Sequence, residues 1–408
     1  MIEKRNDWQE RLSPRVNAIA PSGIRKFFDI AAQMEDVISL GVGEPDFVTP
    51  WSIRESCVYG LEQGYTSYTA NRGLPELREE IARHYADEYG CSYDADTDIL
   101  VTVGVSEALD LVMRAILAPG DEVLIPEPCY VSYQACTILA GGTPVSVPAK
   151  IENEFRITPD ELEEHVTPKT KALLIGYPNN PTGAIMTRKD LLAIANFAEK
   201  HDLIIISDEI YGDLTYGGEK HVCFSSLPGM QERTILLNGF SKAYAMTGWR
   251  IGYALGNKAF ISAMTKIHQY TMLCAPITAQ IAAIEALRHG EKYMKKMVAE
   301  YDRRRHLIYD GFTKMGLPCF EPKGAFYIFP DITSTGYTSD EFAEELLKAE
   351  HVALIPGLRL RCLRRGPCTL LVRDIHRQDL RGARTHRELP QEPQAVIRCT
   401  ALRPYFSY

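Results

Sequence analysis

The 408-residue chain is predicted to be an α/β protein with a mostly parallel sheet flanked by helices, and two observations predict it. Between Asp98 and Ile206, short β-rich apolar runs alternate with amphipathic stretches. The runs are apolar throughout rather than at every second position, as expected of strands covered on both faces. In order, Ile99–Val103 reads as a strand and Ser106–Leu117 as a helix. Glu122–Ile125 and Val131–Leu139 repeat the pair, as do Ala172–Ile175 and Arg188–Lys200. Leu203–Ile206 and Thr234–Leu237 are two further strands. In such a sheet, ligands bind beyond the C-terminal strand ends.

The pattern then loosens. Glu291–Lys314 reads as a long charged helix, Gly324–Ile332 as a strand, Ser339–Ala349 as a helix and Val352–Ile355 as a strand. This suggests a smaller α+β domain, joined by the N-terminal segment. We expect residues 1–48 to belong in part to it, 49–290 to form the large domain and 291–357 the small one.

Composition narrows the function. Apolar residues make up 45% of the chain, enough for a sizeable core. The net charge of −8 argues against nucleic acid or an anionic membrane as partner. Apolar runs such as Leu203–Ile206 fall far short of the roughly 20 residues of a membrane span. The start, with Glu3, Lys4, Arg5 and Asp7, is too charged for a secretion signal. A soluble, cytoplasmic protein is expected. The ten cysteines form no C-x-x-C pair and read as reduced thiols. No histidine spacing suggests a metal, and Gly41-Val42-Gly43 is too short for a dinucleotide fingerprint.

Several polar residues sit just past the apolar runs. Asp208 follows one strand and Lys242 the next, so both would emerge on one sheet edge. A carboxylate and an amine there are costly unless paired or used; alone, they read as readily as a structural salt bridge. Their company favours use. Tyr177–Gly183 (YPNNPTG) fixes the Asn180 amide between prolines, although such a segment alone is only a turn. Val105, Ser106 and Glu107 open a helix whose free amides would favour a phosphate, although Ser106 alone is simply an N-cap candidate. Arg250 could add a fixed positive charge, Tyr130 an aromatic face and Tyr211 a phenol. Together they suit an aromatic, phosphorylated cofactor with an acid at its ring nitrogen and a lysine at its aldehyde, which are the needs of pyridoxal 5'-phosphate.

At these residues the chain resembles the class I/II aminotransferases of the pyridoxal-phosphate fold type I superfamily, in their aspartate-aminotransferase-like branch. The resemblance runs from about Ile24 to Gly357 and rests on SLGVGEPDF (Ser39–Phe47), TSYTANRG (Thr66–Gly73), YPNNPTG, SDEIY (Ser207–Tyr211) and NGFSKAYAMTGWRIGY (Asn238–Tyr253). It implies a large domain with a seven-stranded sheet and a smaller domain built from both termini. It implies that Lys242 forms a Schiff base with the cofactor, that Asp208 holds the pyridinium proton, that Tyr211 and Asn180 bond the ring hydroxyl oxygen and that Tyr130 stacks on the ring. Ser106 with neighbouring amides, Ser241 and Arg250 would hold the phosphate. Tyr68 would reach the phosphate of the other subunit of a homodimer, and the backbone of Gly43 would touch the substrate carboxylate, near Tyr130 and Asn180. The implied reaction moves an amino group between an L-amino acid, such as aspartate or alanine, and a 2-oxo acid such as 2-oxoglutarate. A C–S lyase or a cyclopropane-forming synthase would share the cofactor residues, and a cofactor-binding protein without turnover is a third reading. Arg25 or Lys26 could pair with a dicarboxylate's distal acid, with a solvated surface charge as the default.

The resemblance breaks at about Leu358. The last 51 residues hold eleven arginines, no lysine and four acids, a local charge of +7 that leaves −15 for the first 357. The family's carboxylate-binding arginine, expected after Val352–Gly357 in a G-x-V-R-x-S-Y context, is missing. Back-translated and read one nucleotide out of step, Leu358–Leu380 can encode SAFGASGEGHVRCSYATSIDKI, which restores it. A frameshift is therefore expected; Arg365 and Arg373 are nearby in number only. The short apolar stretches Leu370–Val372 and Val396–Ile397 are expected to be too small to rebuild the lost packing.

Overall fold

The computed structural model describes residues 8–19, 34, 36–41, 43–357 and 368–371. Its largest sheet has seven strands: β2 (Ile99–Thr102), β3 (Glu122–Glu127), β4 (Thr143–Pro148), β5 (Thr170–Gly176), β6 (Ile204–Asp208), β7 (Thr234–Gly239) and β8 (Gly252–Leu255). Their order is β2-β8-β7-β6-β5-β3-β4. All neighbours run parallel except β8, which is antiparallel to both β7 and β2. The alternation along β5 and β6 explains their unbroken apolar character. Leu173 and Ile205 enter one core cluster, while Ala172, Leu174 and Ile206 enter another on the opposite face. Each face is covered, so neither set of side chains is left to water.

The helices are α1 (Pro14–Asn17), α2 (Trp51–Glu62), α3 (Pro75–Tyr89), α4 (Gly104–Ile116), α5 (Ser132–Ala140), α6 (Pro159–Glu163), α7 (Arg188–Lys200), α8 (Lys258–Thr271), α9 (Ile277–His289), α10 (Glu291–Met315) and α11 (Ser339–Glu350). Leu109 and Val112 of α4 join Ile261 and Met264 of α8 on one sheet face. Leu191, Ile194 and Phe197 of α7 cover the other. The start of α7 is set by a capping box, in which the Thr187 hydroxyl accepts from the Asp190 amide while the Asp190 carboxylate accepts from the Thr187 amide.

A second core gathers Leu40, Ile308, Phe312, Ile328, Phe342, Leu346 and Val352. It lies among α10, α11 and short strands. β1 (Ile38–Ser39) pairs in parallel with β10 (Val352–Ala353). β9 (Tyr327–Ile328), β11 (Ile355–Pro356) and β12 (Cys368–Leu371) form a three-stranded antiparallel sheet with β12 in the middle. The N-terminal segment is thus hydrogen-bonded to a strand more than 300 residues later.

Two sequence expectations need correction. The strand expected over Gly324–Ile332 forms a ladder only at Tyr327–Ile328, with isolated bridges from Gly324 to Thr215 and from Pro330 to Cys319, because Ala325 has φ 55° and Pro330 lacks an amide donor. The strand expected over Val352–Ile355 splits at Leu354 into β10 and β11, which serve different sheets. Past the point where the resemblance breaks, Cys368–Leu371 pairs with two strands. A central strand is held by its backbone ladder, which tolerates a changed sequence. Arg365, Arg373 and Val396–Ile397 lie outside the described residues.

Gly252 marks a close approach between β8 and the start of α4. A Cβ there would lie 2.8 Å from both the Gly104 carbonyl carbon and the Val105 nitrogen, and backbone cannot rotate away. Gly252→Ala is expected to cost about 1–3 kcal/mol in a urea unfolding titration. A loss below about 0.5 kcal/mol, the usual scatter of a neutral change, would contradict this packing.

Candidate active site

Asp208 closes the C-terminal end of β6 and is 6% exposed. Its Oδ2 accepts from the Tyr133 hydroxyl at 2.8 Å and its Oδ1 from the Ile210 amide at 3.2 Å. Burial pushes the carboxyl up to about 6; those two hydrogen bonds and the Lys242 charge oppose the rise, while Glu209 adds to it. The group is therefore ionised at neutral pH but poorly solvated.

Lys242 stands three residues past the end of β7, the strand parallel to β6. Its Nζ donates to the Gly43 carbonyl at 2.5 Å and lies 5.7 Å from the ring centroids of both Tyr211 and Phe326. Gly43 comes from the segment after β1. The Tyr211 hydroxyl is 2.5 Å from that of Tyr327 on β9, and burial together with Tyr327 pushes the Tyr211 phenol well above its usual range. Tyr211 is therefore a protonated donor at neutral pH.

The third component is a cradle at the start of α4. Gly104 has φ +74°, and a Cβ there would lie 2.5 Å from Nη2 of Arg250. Only a glycine lets the guanidinium settle against the helix start. Arg250 is itself in the left-handed region, and its Nη1 donates to the Thr247 carbonyl at 3.0 Å. Val105, Ser106, Ser241 and Arg250 all line one cavity of about 430 Å³ with Asp208, Lys242, Tyr211, Tyr130, Asn180 and Gly43. Free amides, two hydroxyls and a cation at one helix start suit an anion.

Two sequence candidates do not line this cavity with their side chains. The Glu107 carboxylate does not face the cavity: it accepts from the Val103 amide at 2.5 Å and from His268 Nδ1 at 2.6 Å, in the protein interior. A carboxylate pointing into an anion cradle would repel its ligand, and the helix geometry turns it inward. Tyr68 is 83% exposed and does not line the cavity of its own chain. Asn180 is presented by its neighbour: buried Asn179 accepts from the Thr182 amide and hydroxyl and donates to the carbonyls of Pro128 and Gly176.

Sequence reasoning missed Tyr133 and Tyr327. Tyr133 lies three residues after Tyr130, and a turn in which its amide donates to the Tyr130 carbonyl at 3.1 Å brings both to the cavity. Nothing local marks Tyr327, whose partner Tyr211 is 116 residues away.

The residues present fit pyridoxal 5'-phosphate: an anion cradle, a buried acid and an amine share one aromatic-walled cavity. Fold and cavity define a pyridoxal 5'-phosphate-dependent enzyme of fold type I. The family model for aminotransferase class I and II matches residues 35–371, and the chain belongs to that family. The match extends past Leu358, further than the sequence motifs alone reached. The chain is 50% identical over 348 residues to an aspartate aminotransferase of Pyrococcus abyssi, covering 85% of this chain and 90% of that one. It is 47% identical over 348 residues to an aromatic-amino-acid aminotransferase of Thermococcus litoralis, with the same coverage. A solved structure of a Thermus thermophilus aspartate aminotransferase double mutant superimposes with a TM-score of 0.86 at 36% identity, over 97% of this chain and 99% of that one. The protein is a transaminase. Among the described residues, no helix is long and apolar enough to cross a membrane.

The acid gives a pH test. Its folded pKa of about 6 exceeds the ordinary 3.8, so the folded state holds a proton that the unfolded state has already lost between those values. Stability of the cofactor-free chain therefore falls as pH rises through that window, by a total of about 3 kcal/mol. Asp208→Asn is expected to match the wild type near pH 4 and to be more stable by up to this amount at pH 7 in denaturant titrations. Equal stability of the two at both pH values would show that the carboxylate is not strained by burial.

Proposed function

We propose that this transaminase binds its cofactor and substrates through the cavity between β6, β7 and the start of α4. The observation that carries the reading is the placing of Asp208 and Lys242 on adjacent parallel strand ends, in one cavity with the Gly104–Arg250 cradle. Bound pyridoxal 5'-phosphate supplies an aldehyde for the lysine amine and a ring that takes up electrons from the substrate's Cα. Ser106, Ser241, Arg250 and the first amides of α4 hold the phosphate. Asp208 keeps a proton on the ring nitrogen, and Tyr133 keeps Asp208 aimed. Tyr211 and Asn180 donate to the ring hydroxyl oxygen, and Tyr130 covers the ring face. The Lys242 amine, freed for proton transfer, would act as general base at the substrate Cα and would carry that proton. Gly43, Tyr130 and Asn180 face the substrate.

The donor is an L-amino acid of the aspartate, alanine or aromatic kind, and the acceptor is a 2-oxo acid such as 2-oxoglutarate. Relatives named as aspartate and aromatic-amino-acid aminotransferases support the first and last of these. The chain works as a cytoplasmic homodimer. Exposed Trp51, Tyr59, Tyr65, Tyr68, Tyr270 and Met272 form apolar surface on α2, the following loop and the end of α8, where Asn71 Nδ2 donates to the Leu273 carbonyl at 2.8 Å. Ser106 and Arg250 remain exposed in a single chain, which leaves room for Tyr68 of a second copy. Residues 49–290 form the large domain, with 1–48 and 291–357 contributing to the small one. We further infer a frameshift in the gene near codon 358, which sequencing across it would reveal.

The test is to supply the loaded protein with a panel of amino donors and 2-oxoglutarate. Glutamate is the expected product, and Lys242→Ala should lower its rate by about 10⁴-fold. Pyruvate with ammonia or a thiol in place of glutamate would point to lyase chemistry and overturn the reading.

A further inference from the structure

Directly beneath the anion cradle lies a buried pair that the reading above does not use. Glu107 is the fourth residue of α4, and its side chain is 8% exposed. A carboxylate so near a helix start is a natural ligand for the free amides of the first turn. Its Oε2 already accepts from the Val103 amide at 2.5 Å. Its Oε1 is taken by Nδ1 of His268, at 2.6 Å. The imidazole is fully buried, and its Nε2 has no hydrogen-bond partner among the described residues. A buried nitrogen left unpaired is a cost that an apolar side chain of similar size would avoid. What the imidazole contributes is therefore the Nδ1 contact. The ring is also anchored, because the His268 carbonyl accepts from the Met272 and Leu273 amides at 2.9 and 3.0 Å, at the end of α8.

We propose that Glu107 and His268 are positioning residues for the phosphate cradle: the imidazole draws the Glu107 carboxylate inward, so that the first-turn amides of α4 are left to the cofactor's phosphate instead of the protein's own acid. The proposal rests on the reading that this cradle holds the phosphate. It makes the phosphate, rather than the ring, the part of the ligand that feels the pair.

The experiment compares the full chain, stripped of cofactor, in its affinity for pyridoxal 5'-phosphate, for pyridoxal and for inorganic phosphate. His268→Leu removes the donor and releases the carboxylate. It is expected to weaken pyridoxal 5'-phosphate and inorganic phosphate by about tenfold, the size of one strong hydrogen bond, and to change pyridoxal by less than about twofold. His268→Asn, which can offer an N–H near the position of Nδ1, should restore most of the loss. Glu107→Gln combined with His268→Leu should also restore it, because no charge is left to compete. Equal weakening of all three ligands, or a double variant worse than His268→Leu alone, would mean that the pair merely packs α4 on α8 and would overturn the proposal. Should His268→Leu fail to fold, Glu107→Gln alone decides: it should bind pyridoxal 5'-phosphate at least as tightly as the wild type, and a phosphate-selective loss would refute the account. Arg250→Ala separates the two levels. If it weakens pyridoxal and pyridoxal 5'-phosphate alike, the cradle itself is misread.

Discussion

A buried carboxylate at the mouth of a parallel sheet is the constraint around which this molecule is arranged. Asp208 cannot be hydrated where it stands, so its charge must be met by the protein or by a ligand. The protein meets it only in part, through one phenol, one amide and the nearby Lys242 charge. Its raised pKa measures the remainder. A positively charged ring nitrogen would supply what is missing, and the same field that makes the empty acid uncomfortable would hold that ring protonated. Burial that costs stability in the free chain becomes selectivity for the cofactor.

The remaining walls come from distant parts of the chain. Gly43 reaches Lys242 from the segment after β1, and Tyr327 reaches Tyr211 from β9. Both belong to the elements around the second core. That body is fastened to the site by buried charge: Arg304 of α10 bonds Asp46 at 2.8 Å and lies over the Phe47 ring. A change in how the two cores sit would therefore be felt at the lysine and at the phenol pair. The glycines at 104 and 252 play the complementary part, since they let backbone and guanidinium come within contact where any side chain would hold them apart.

Much of this was legible from residue order alone. Parallel strands declare themselves by unbroken apolar runs, and the five found that way include β6 and β7, which carry Asp208 and position Lys242. The strands that escaped were β4, a half-exposed edge strand with prolines at two positions, and β8, a four-residue strand whose first half closes the motif Asn238–Tyr253. Residues that work by lying after a strand were found for the same reason. Tyr327 and His268 were not, because their roles depend on partners 116 and 161 residues away, and no local pattern encodes such a distance. Glu107 was placed at the helix start for its amide; that its carboxylate turns inward to His268 is not legible from position in sequence. The paired strand at Cys368–Leu371 was hidden by an altered composition that the backbone ladder does not register.

The account stands on one amine in one cavity. Reduction of the cofactor-loaded protein with borohydride, followed by digestion and peptide mass spectrometry, locates that amine directly. A pyridoxyl group on the peptide containing Lys242 is the predicted result. A label on any other lysine, or no label on protein that has bound the cofactor, would contradict it.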